Sequence, residues 1–463
     1  MLFSCNMKME HLLENERAKA LVDQFFPGLC SLAASHAQAK ELSVQQLVRY
    51  AGLPGAAEKL PTMDLALQEL NLTERTVSAS EEKLMERFRS IWEAEQNISA
   101  EKGAHHQDAI YPGQPWLDTE GKRIQAHGGA VFYEKGVYYW YGENKTYTDG
   151  KNSVWTWGIK VYSSCDLYNW EDRGYLIAPV IDDPNSGLFP AKRVDRPHIL
   201  KCERTGKYVC WIKLSGAEAA FTVWQADALL GPYAMVENLY YPGGHRCGDF
   251  DIVEDRETAA AYLFVEVNHD SLLCMELTED YLHAAREVCY NYPNQTPPFT
   301  REAPALFEAN GMKYMLTSGM TGYVPNKSDS AAAHLWTDCF VSLGDPHEND
   351  DSCASFNSQI SKVFKVEGRD NLYIAMADRW LPGYHVDKRI ADLFTRVIAG
   401  RFAPTEYSFT AEESAEVNAA NVLETADTSV ADYVWLPILV TPPDREHPFG
   451  RITIRWSDSW RIE

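Results

Sequence analysis

The sequence predicts an all-β domain, a five-bladed β-propeller, with an N-terminal α-helical extension. Residues 9 to about 100 carry helical patterns, whereas from Ile110 onward short segments rich in Tyr, Trp, Val and Ile alternate with Gly, Asn, Asp and Pro. These segments form five sets at a spacing of about 50 residues, which is typical of propeller blades. We therefore predict a helical domain over residues 1–100 and a propeller domain over residues 108–463.

The helical extension is indicated by two capping boxes. Ser43 with Gln46 precedes an apolar run that stops at Gly52, and Ser78 with Glu81 precedes apolar residues at helical spacing. The helices that we expect lie near residues 12–24, 43–51, 63–71 and 80–95. Since this region shows no constellation of polar residues, we expect it to pack on the main domain or to form a homo-oligomer contact.

A polar linker over residues 97–108 carries His105 and His106. A pair of histidines is a partial set of metal ligands, but no third ligand lies near it in the sequence. We therefore predict a solvated linker and no metal site.

The five sets of strands follow one another in order after the linker. The segments expected as strands are 130–133, 137–141 and 158–163; 197–200, 208–213 and 221–226; 250–253, 261–265 and 272–277; 303–307 and 313–318; and 359–364 and 372–376. Two further segments, 433–440 and 451–456, are expected to close the ring.

Composition excludes several classes of partner. The chain has 463 residues, 45% of them apolar, which is enough for a large core. Its formal net charge of −23, without a basic patch, argues against nucleic acid and anionic membranes as partners. No apolar run is long enough to span a membrane.

The N-terminal and cysteine patterns suggest a compartment. Residues 1–19 contain only a short apolar start before several charged residues, so they do not resemble a secretory signal. The 10 cysteines are scattered, without a Cys-x-x-Cys pair, and are expected to be free thiols. We therefore expect a cytoplasmic protein.

One polar residue stands at or just before the first strand of each set. The innermost strands of a propeller run beside its axis, so these residues are expected to converge at one end of the channel. Carboxylates at the end of a pocket lined by aromatic rings suit glycoside hydrolysis. The five residues are His127, Asp195, Asp249, Glu302 and Gln359.

Glu302 is the candidate general acid. It stands at the mouth of an apolar strand, where partial desolvation raises the pKa of a carboxyl group. Asp249, on the preceding blade, would stay ionised and hold the proton on Glu302 by charge repulsion. The alternatives are a solvated strand-start residue for Glu302, a turn aspartate for Asp249, and a simple ion pair with Arg193 or Arg196 for Asp195.

These and neighbouring motifs resemble the successive blade motifs of glycoside hydrolase family 43 and, more narrowly, of its exo-β-1,3-galactanase branch. The resemblance covers about Tyr111 to Trp460. The motifs that carry it include His127-Gly128-Gly129, Tyr141-Gly142-Glu143, Asp195-Arg196-Pro197, Arg301-Glu302-Ala303-Pro304, Thr321-Gly322-Tyr323, Ser358-Gln359 and Asp378-Arg379-Trp380.

The resemblance implies an inverting, exo-acting hydrolase that releases a terminal galactosyl or related unit from oligosaccharides. Glu302 matches the catalytic acid, Asp249 the residue that tunes its pKa, and Gln359 a glutamine that positions water in the absence of an aspartate base on the first blade. No cofactor is expected; some relatives hold calcium in the axial channel, but nothing in this sequence demands it. The residues expected to contact substrate are His127, Glu143, Asp195, Tyr323, Asp378 and Trp380, and the further aromatic candidates are Trp116, Trp155 and Trp157.

Several positions depart from the branch. Lys213 stands where the branch usually has histidine, Tyr323 replaces tryptophan, and Cys247 and Gly248 replace Ser-Arg before Asp249. The departures cluster near the expected sugar pocket, so acid chemistry is supported more firmly than galactose specificity. The alternatives left open are a propeller that binds glycans without cleaving them, and an α-L-arabinofuranosidase or β-xylosidase of the same family.

Overall fold

The computed structural model describes residues 3–53, 55–74, 77–97, 104–403, 407, 409–420 and 426–462. Its N-terminal part is helical, and the four predicted helices are confirmed, whereas α1, α3 and α4 were not predicted. These helices are α1 (Met9–Leu12), α2 (Glu16–Phe25), α3 (Leu29–Ser35), α4 (Ala37–Lys40), α5 (Val44–Tyr50), α6 (Ala56–Glu74) and α7 (Ala79–Gln96).

Both predicted capping boxes are present. Ser43 Oγ accepts from the backbone N–H of Gln46 at 3.1 Å, while the Gln46 side chain accepts from the Ser43 N–H at 2.9 Å. Ser78 and Glu81 make the same reciprocal pair at the start of α7. Each box satisfies backbone donors that a helix start otherwise leaves unpaired, which fixes where these two helices begin.

The rest of the chain forms five sheets, which confirms the five-bladed β-propeller. Their strands are antiparallel, apart from one two-residue edge strand that pairs in parallel with its neighbour. In blades one to four the first strand of the sheet lies innermost, whereas in blade five the second strand does, because its two-residue first strand lies at the outer edge. The inner strands of adjacent blades contact one another around the ring. The strands are, for blade one, β1 (His127–Glu134), β2 (Val137–Glu143), β3 (Ile159–Ser164) and β4 (Glu171–Ile177); for blade two, β5 (Val194–Cys202), β6 (Lys207–Leu214), β7 (Ala220–Ala226) and β8 (Ala234–Tyr240); for blade three, β9 (Cys247–Glu254), β10 (Ala261–Val267), β11 (Ser271–Leu277) and β12 (Ala284–Asn291); for blade four, β13 (Arg301–Ala309), β14 (Met312–Gly319), β15 (Asp329–Ala333) and β16 (Val341–Gly344); and for blade five, β17 (His347–Glu348), β18 (Gln359–Lys365), β19 (Tyr373–Arg379), β20 (Asp432–Thr441) and β21 (Arg451–Arg455).

All predicted strands are present, and the missed ones lie mainly at the outer edges of the blades. The outermost strands β4 and β8 are largely exposed or half-buried, so they lack the apolar pattern that reveals a strand. β20 and β21, which we expected to close the ring, complete blade five. The ring is closed further by a bridge between Ile110 and Trp460, whose backbone groups exchange hydrogen bonds of 2.9 and 3.0 Å.

Two more helices lie between β19 and β20, and neither was predicted. They are α8 (Lys388–Phe402), which Asp387 caps through the N–H of Ile390, and α9 (Ala411–Ala420). Phe394 of α8 is buried in a cluster with Val324 of the loop after β14. This insertion therefore packs beside the point where β19 ends.

The helices lie on one end of the propeller, the end at which the inner strands begin; we call it the upper face. Phe88 of α7 is fully buried, with its ring centre 5.7 Å from that of Trp157 and 5.2 Å from that of Phe189. Both partners belong to loops of this face. Arg246 adds a second contact by donating to the backbone oxygen of Asn6 at 2.7 Å. The N-terminal helices thus pack on their own propeller.

Cys289 at the end of β12 and Cys339 in the loop after β15 form a disulfide, with their Cα atoms 6.0 Å apart. The expectation that all cysteines are free is therefore wrong for this pair, because two adjacent blades bring together residues that are 50 positions apart in sequence. The other eight cysteines are free. Among the described residues, no helix is long and apolar enough to cross a membrane.

Candidate active site

Backbone bulges aim the polar residues of the inner strands into the channel. The pairing register shifts directly after His127 in β1, after Asp195 in β5 and after Glu302 in β13. Arg196 and Ala303, the residues that follow the latter two, have φ values of 48° and 52°. A bulge turns its strand and redirects the side chain beside it. The predicted convergence of polar residues at the upper face thus has a local structural cause.

Asp249 lies between two cations. Arg196 Nε is 3.0 Å from Asp249 Oδ2, and the Lys213 ammonium group donates a hydrogen bond to Oδ1. Burial acts to raise the pKa of Asp249, but the charges of Arg196 and Lys213 outweigh it and lower this pKa to about 2. Asp249 is therefore a carboxylate at any pH near neutrality.

Glu302 is shifted in the opposite direction. Burial and the negative charge of Asp249 raise the pKa of Glu302 to about 8, although Lys213 and Arg196 act to lower it. A carboxyl group with this pKa is mostly protonated at pH 7 and can donate a proton. The alternative of an ordinary, solvated strand-start glutamate does not fit this environment.

Gln359 contacts Glu302 directly. Its Nε2 donates to Glu302 Oε1 at 3.3 Å and to Ser318 Oγ at 2.9 Å. Its Oε1 accepts a hydrogen bond of 2.7 Å from Arg196 Nη2. These partners fix the orientation of the amide, with its oxygen towards the guanidinium group of Arg196.

Asp195 accepts hydrogen bonds from neutral donors, and the cations that lie within ion-pair distance of it are Lys213 and Lys145, at 3.8 and 3.9 Å, rather than its flanking arginines. Trp155 Nε1 donates to Asp195 Oδ1 at 2.8 Å, and the Ser215 hydroxyl donates to Oδ2. Arg196 points to Asp249 instead. The alternative of a simple ion pair between Asp195 and its sequence neighbours is therefore not what the structure shows.

Glu143 is fully buried beside Asp195. Its Oε2 is 2.7 Å from Lys145 Nζ, and its Oε1 accepts from the backbone N–H of Arg196 at 2.9 Å. Burial raises the pKa of Glu143 to about 7 against the opposing charge of Lys145. The structure thus places Glu143 in the same cluster as the carboxylates of the inner strands.

His127 and Asp378 are paired away from solvent. His127 Nδ1 is 3.0 Å from Asp378 Oδ1, and the N–H of Gly128 donates to Oδ2 at 3.0 Å. His127 has no exposed surface, and burial lowers its pKa, so the ring is neutral near pH 7. The pair joins the start of β1 to the end of β19.

Three aromatic rings form an arc beside the carboxylates. Tyr323 lies between Trp155 and Trp380, with ring centres 6.2 and 5.6 Å away. Burial and the nearby charges of Asp195 and Glu143 raise the pKa of the Tyr323 hydroxyl well above its ordinary value. The three rings thus lie side by side next to the carboxylates, with Trp155 also contacted by Lys145 and Arg193.

Two other predicted sugar platforms belong to the core. Trp116 packs against Trp140 and Trp435, with ring centres 5.6 and 5.0 Å away, and Trp157 packs under α7. Both rings are buried, so the core role that is the default for an aromatic ring fits them, and neither has the exposed surface that a sugar platform needs. Their spacing in the sequence carried no signal that separates core from site.

Sequence reasoning did not assign a role to Arg196 or Lys145 and treated Lys213 only as a departure. All three cations contact carboxylates of the cluster. The signal that could have found Arg196 is its place between Asp195 and Pro197 at an inner-strand start. Long-range partners such as the Lys213–Asp249 pair have no local signal.

The axial channel holds a lysine charge rather than a set of metal ligands. Lys362 of β18 donates to Asp251, whose carboxylate also contacts His198 Nδ1 at 2.8 Å and the N–H of Leu306 at 2.8 Å. No group of three or more metal-ligating side chains occurs in the described part of the chain. With an ammonium group against Asp251, this donor set does not fit the calcium ion that some relatives hold.

Comparison with known proteins gives a family and a fold. The model for "Glycosyl hydrolases family 43" matches residues 125–368, which is more than half of the chain. No curated protein sequence matches. Among solved structures, a family 43 β-1,3-galactosidase is 26% identical with a TM-score of 0.59; the match covers 77% of this chain and 64% of that one, so the chain spans less than two thirds of that protein's length.

Two exo-β-1,3-galactanases share the fold at lower identity. The enzyme from Phanerochaete chrysosporium, solved with β-1,3-galactotriose, is 21% identical with a TM-score of 0.58, over 77% of this chain and 69% of that one. The enzyme from Clostridium thermocellum is 23% identical with a TM-score of 0.58, over 77% and 67%.

Proposed function

Because the chain belongs to glycoside hydrolase family 43, we propose that it is an exo-acting glycosidase that releases a terminal galactosyl or related unit from oligosaccharides with inversion of configuration. The observation that carries this proposal is the pair of carboxyl groups with opposite pKa shifts, Glu302 raised and Asp249 lowered. Galactosyl is favoured because the similar structures named above act on, or were solved with, β-1,3-linked galactose.

Glu302 is the general acid of the proposed reaction. It delivers its proton to the glycosidic oxygen as the bond to the leaving sugar breaks, which avoids the formation of an unstable alkoxide. The negative charge of Asp249 keeps Glu302 protonated before the reaction, because ionised Glu302 would be repelled by it. Arg196 and Lys213 keep Asp249 ionised in this role.

Gln359 positions the attacking water. A neutral amide is a weak base, so its contribution is orientation more than proton removal. Inverting enzymes separate the acid from the water-activating group by about 6.5–9.5 Å to admit both sugar and water. Since Gln359 Nε2 lies only 3.3 Å from Glu302, substrate must displace the Gln359 amide from this contact.

The remaining predicted site residues take two roles in this proposal. Glu143, Asp195, Tyr323 and Trp380 contact the terminal sugar through carboxylate oxygens and ring faces. His127 and Asp378 hold the start of β1 against β19, as their mutual hydrogen bond supports. A cytoplasmic location and a homo-oligomer through the N-terminal helices stay predictions.

Hydrolysis of β-1,3-galactobiose and of aryl β-galactosides, α-L-arabinofuranosides and β-xylosides tests the proposal, with the released anomer followed by proton NMR. We expect galactobiose to be cleaved to the inverted anomer and Glu302→Gln to lower kcat by about 100- to 10,000-fold. The loss should be much smaller on a dinitrophenyl galactoside, whose leaving group needs no proton. Glu308→Gln, at the exposed far end of β13, is the matched control.

Other outcomes select the alternatives. Turnover confined to arabinofuranosides or xylosides would replace galactose as the terminal sugar. A retained anomer would contradict inversion. Sugar binding without turnover of any substrate would leave a glycan-binding propeller, as the lack of an aspartate at the His127 position allows.

A further inference from the structure

A cavity of about 710 Å3 lies between the N-terminal helices and the upper face of the propeller. The helical side is lined by Lys8 and His11 at α1 and by Glu81 of α7, and the propeller side includes Arg193 and Arg246. The volume is within the range of small-molecule sites. The helices therefore form one wall of a space large enough for a sugar.

Two contacts link the lining of the cavity to residues next to the polar cluster. Arg193 lies with its guanidinium carbon 4.8 Å from the ring centre of Trp155, which donates to Asp195. On the other side, the backbone oxygen of the cavity-lining His269 accepts a hydrogen bond of 2.7 Å from Thr300, which directly precedes β13. In an exo-acting enzyme the space beside the terminal-sugar pocket receives the rest of the substrate.

Two cations of this cavity have no carboxylate partner in the described part of the chain. Arg246 donates to backbone oxygens, those of Asn6, Gly216 and Ala217, at 2.7 to 3.2 Å. Arg193 stacks on an indole ring and is exposed. Two guanidinium groups without a carboxylate partner contrast with a chain whose formal net charge is −23.

The two lysines of the cavity are already paired with carboxylates, and the carboxylate of Glu81 accepts hydrogen bonds from Ser78. Lys8 is 2.6 Å from Glu41, and Lys192 is 2.5 Å from Glu218. Four cations thus line the cavity against the two carboxylates of Glu81 and Glu218, and the cations without a carboxylate partner among the described residues are the two arginines. A guanidinium group offers a planar pair of donors that fits the two oxygens of a carboxylate or of a sulfate.

We propose that this cavity binds the leaving-group sugar and prefers one that carries an anionic group, a carboxylate or a sulfate. The proposal rests on the glycosidase function proposed above. It gives the N-terminal helices a part in substrate selection, because the cavity exists only where they face the propeller.

The kinetic test compares disaccharides with the same terminal galactosyl unit linked to glucuronic acid, to glucose 6-sulfate or to glucose. We expect the full-length enzyme to show a kcat/KM at least about tenfold higher for the anionic leaving groups, mainly through KM. Arg193→Gln should bring this ratio towards one. Arg204→Gln, an exposed arginine in the β5–β6 turn at the opposite end, should keep it. Equal kcat/KM values for all three substrates would overturn the proposal.

A binding measurement separates this proposal from the catalytic one. Calorimetry with Glu302→Gln protein should detect methyl glucuronide or methyl glucoside 6-sulfate but bind methyl glucoside far more weakly, and adding Arg193→Gln should abolish the difference. Binding of all three probes alike, or of none, would contradict the anionic site. Retained anion binding in a protein that hydrolyses no glycoside would refute the glycosidase function and with it the leaving-group role. Arg193 is the principal variant because Arg246 also anchors Asn6.

Discussion

The two carboxyl groups of the site differ in which cations touch them. Arg196 and Lys213 both contact Asp249, and neither forms an ion pair with Glu302 within the described residues. The cations therefore stabilise charge on Asp249 and leave burial to dominate at Glu302. Environments that push two neighbouring pKa values apart are typical of an acid paired with a permanent anion.

The separation of the two pKa values predicts a broad pH profile for kcat/KM. Glu302 acts in its protonated form, so activity falls as pH rises through its raised pKa of about 8. Asp249 acts in its ionised form, so activity falls only as pH drops through its lowered pKa of about 2. We expect a plateau from about pH 4 to 7 in initial rates on galactobiose, corrected for unfolding. An alkaline limb near pH 5 would contradict the assignment of the acid.

Lys213→Met tests how far the charge of Lys213 sets the pKa values of Asp249 and Glu302. Lys213 lowers the pKa of both Asp249 and Glu302, so its removal should move both limbs of the profile to higher pH. Lys207→Met, on the same strand at the opposite end, should leave the profile unchanged. An alkaline limb that stays in place in Lys213→Met would show that the charge of Lys213 does not reach Glu302.

Among the elements, the inner strands owe their function to bulges that the sequence only partly reveals. The five polar residues and their spacing could be found in the sequence, and position 128, which has a positive φ, carries glycine, the usual residue for that conformation. Arg196 and Ala303 hold positive φ values without any such signal, because non-glycine residues rarely adopt them. The fold and the polar residues that converge at the upper face could thus be predicted from the sequence. The bulges that orient their side chains could not.

A comparison of two glycine variants in β13 tests the bulge. At Ala303, whose φ is 52°, glycine relieves strain that offsets its added unfolded-state entropy, so we expect the free energy of unfolding to change by less than about 1 kcal/mol. At the buried Ala305, which has no such strain, glycine should cost about 1 kcal/mol. Urea unfolding measures both. We also expect a lower kcat for Ala303→Gly, because Glu302 is held less firmly; equal destabilisation by the two variants would argue against a strained bulge.

The inserted helices α8 and α9 are elements that the sequence patterns did not predict. α8 is amphipathic and capped by Asp387, yet it lies between two predicted strands of the propeller and was not predicted. Likewise, the docking of α7 on Trp157 depends on a face that is apolar in any amphipathic helix. Which surface such a helix packs on is decided by tertiary packing, and a single sequence does not show which distant residues will lie against the helix.

For the whole molecule, helical segments attached to the upper face change what a propeller pocket can bind. The N-terminal helical region packs over loops of blade one and the loops that lead into blades two and three, and α8 packs beside blades four and five. The site therefore lies between two added walls. We expect these walls to affect long substrates more than small ones.

Phe88→Ala tests this expectation. Removing a buried ring between Trp157 and Phe189 should cost about 3–5 kcal/mol of the interaction between α7 and the propeller. We expect faster proteolysis of the N-terminal region and a higher KM for oligosaccharides, with kcat on an aryl glycoside retained. The exposed Arg89→Ala on the same helix is the control. Equal loss on both kinds of substrate would mean that the helices support the catalytic site itself.

The axis of the propeller depends on a buried charge that links four blades. Asp251 of β9 is fully buried and contacts His198 of β5, Leu306 of β13 and Lys362 of β18. Burial lowers the pKa of His198, so near neutral pH the lysine supplies the positive charge that Asp251 requires. Because the Asp251 carboxylate links four inner strands, loss of its partner Lys362 should destabilise all four strands at once.

Lys362→Met should therefore lower the free energy of unfolding by about 3–5 kcal/mol, because it leaves a buried carboxylate without a counter-charge. The paired variant Lys362→Met with Asp251→Asn removes both charges and should recover part of the loss. Lys365→Met, at the exposed end of the same strand, should change stability by less than about 0.5 kcal/mol. Urea unfolding followed by tryptophan fluorescence measures all three. If Lys362→Met were as stable as Lys365→Met, the ring would be held by packing between blades alone, and the axial ion pair would have no part in its closure.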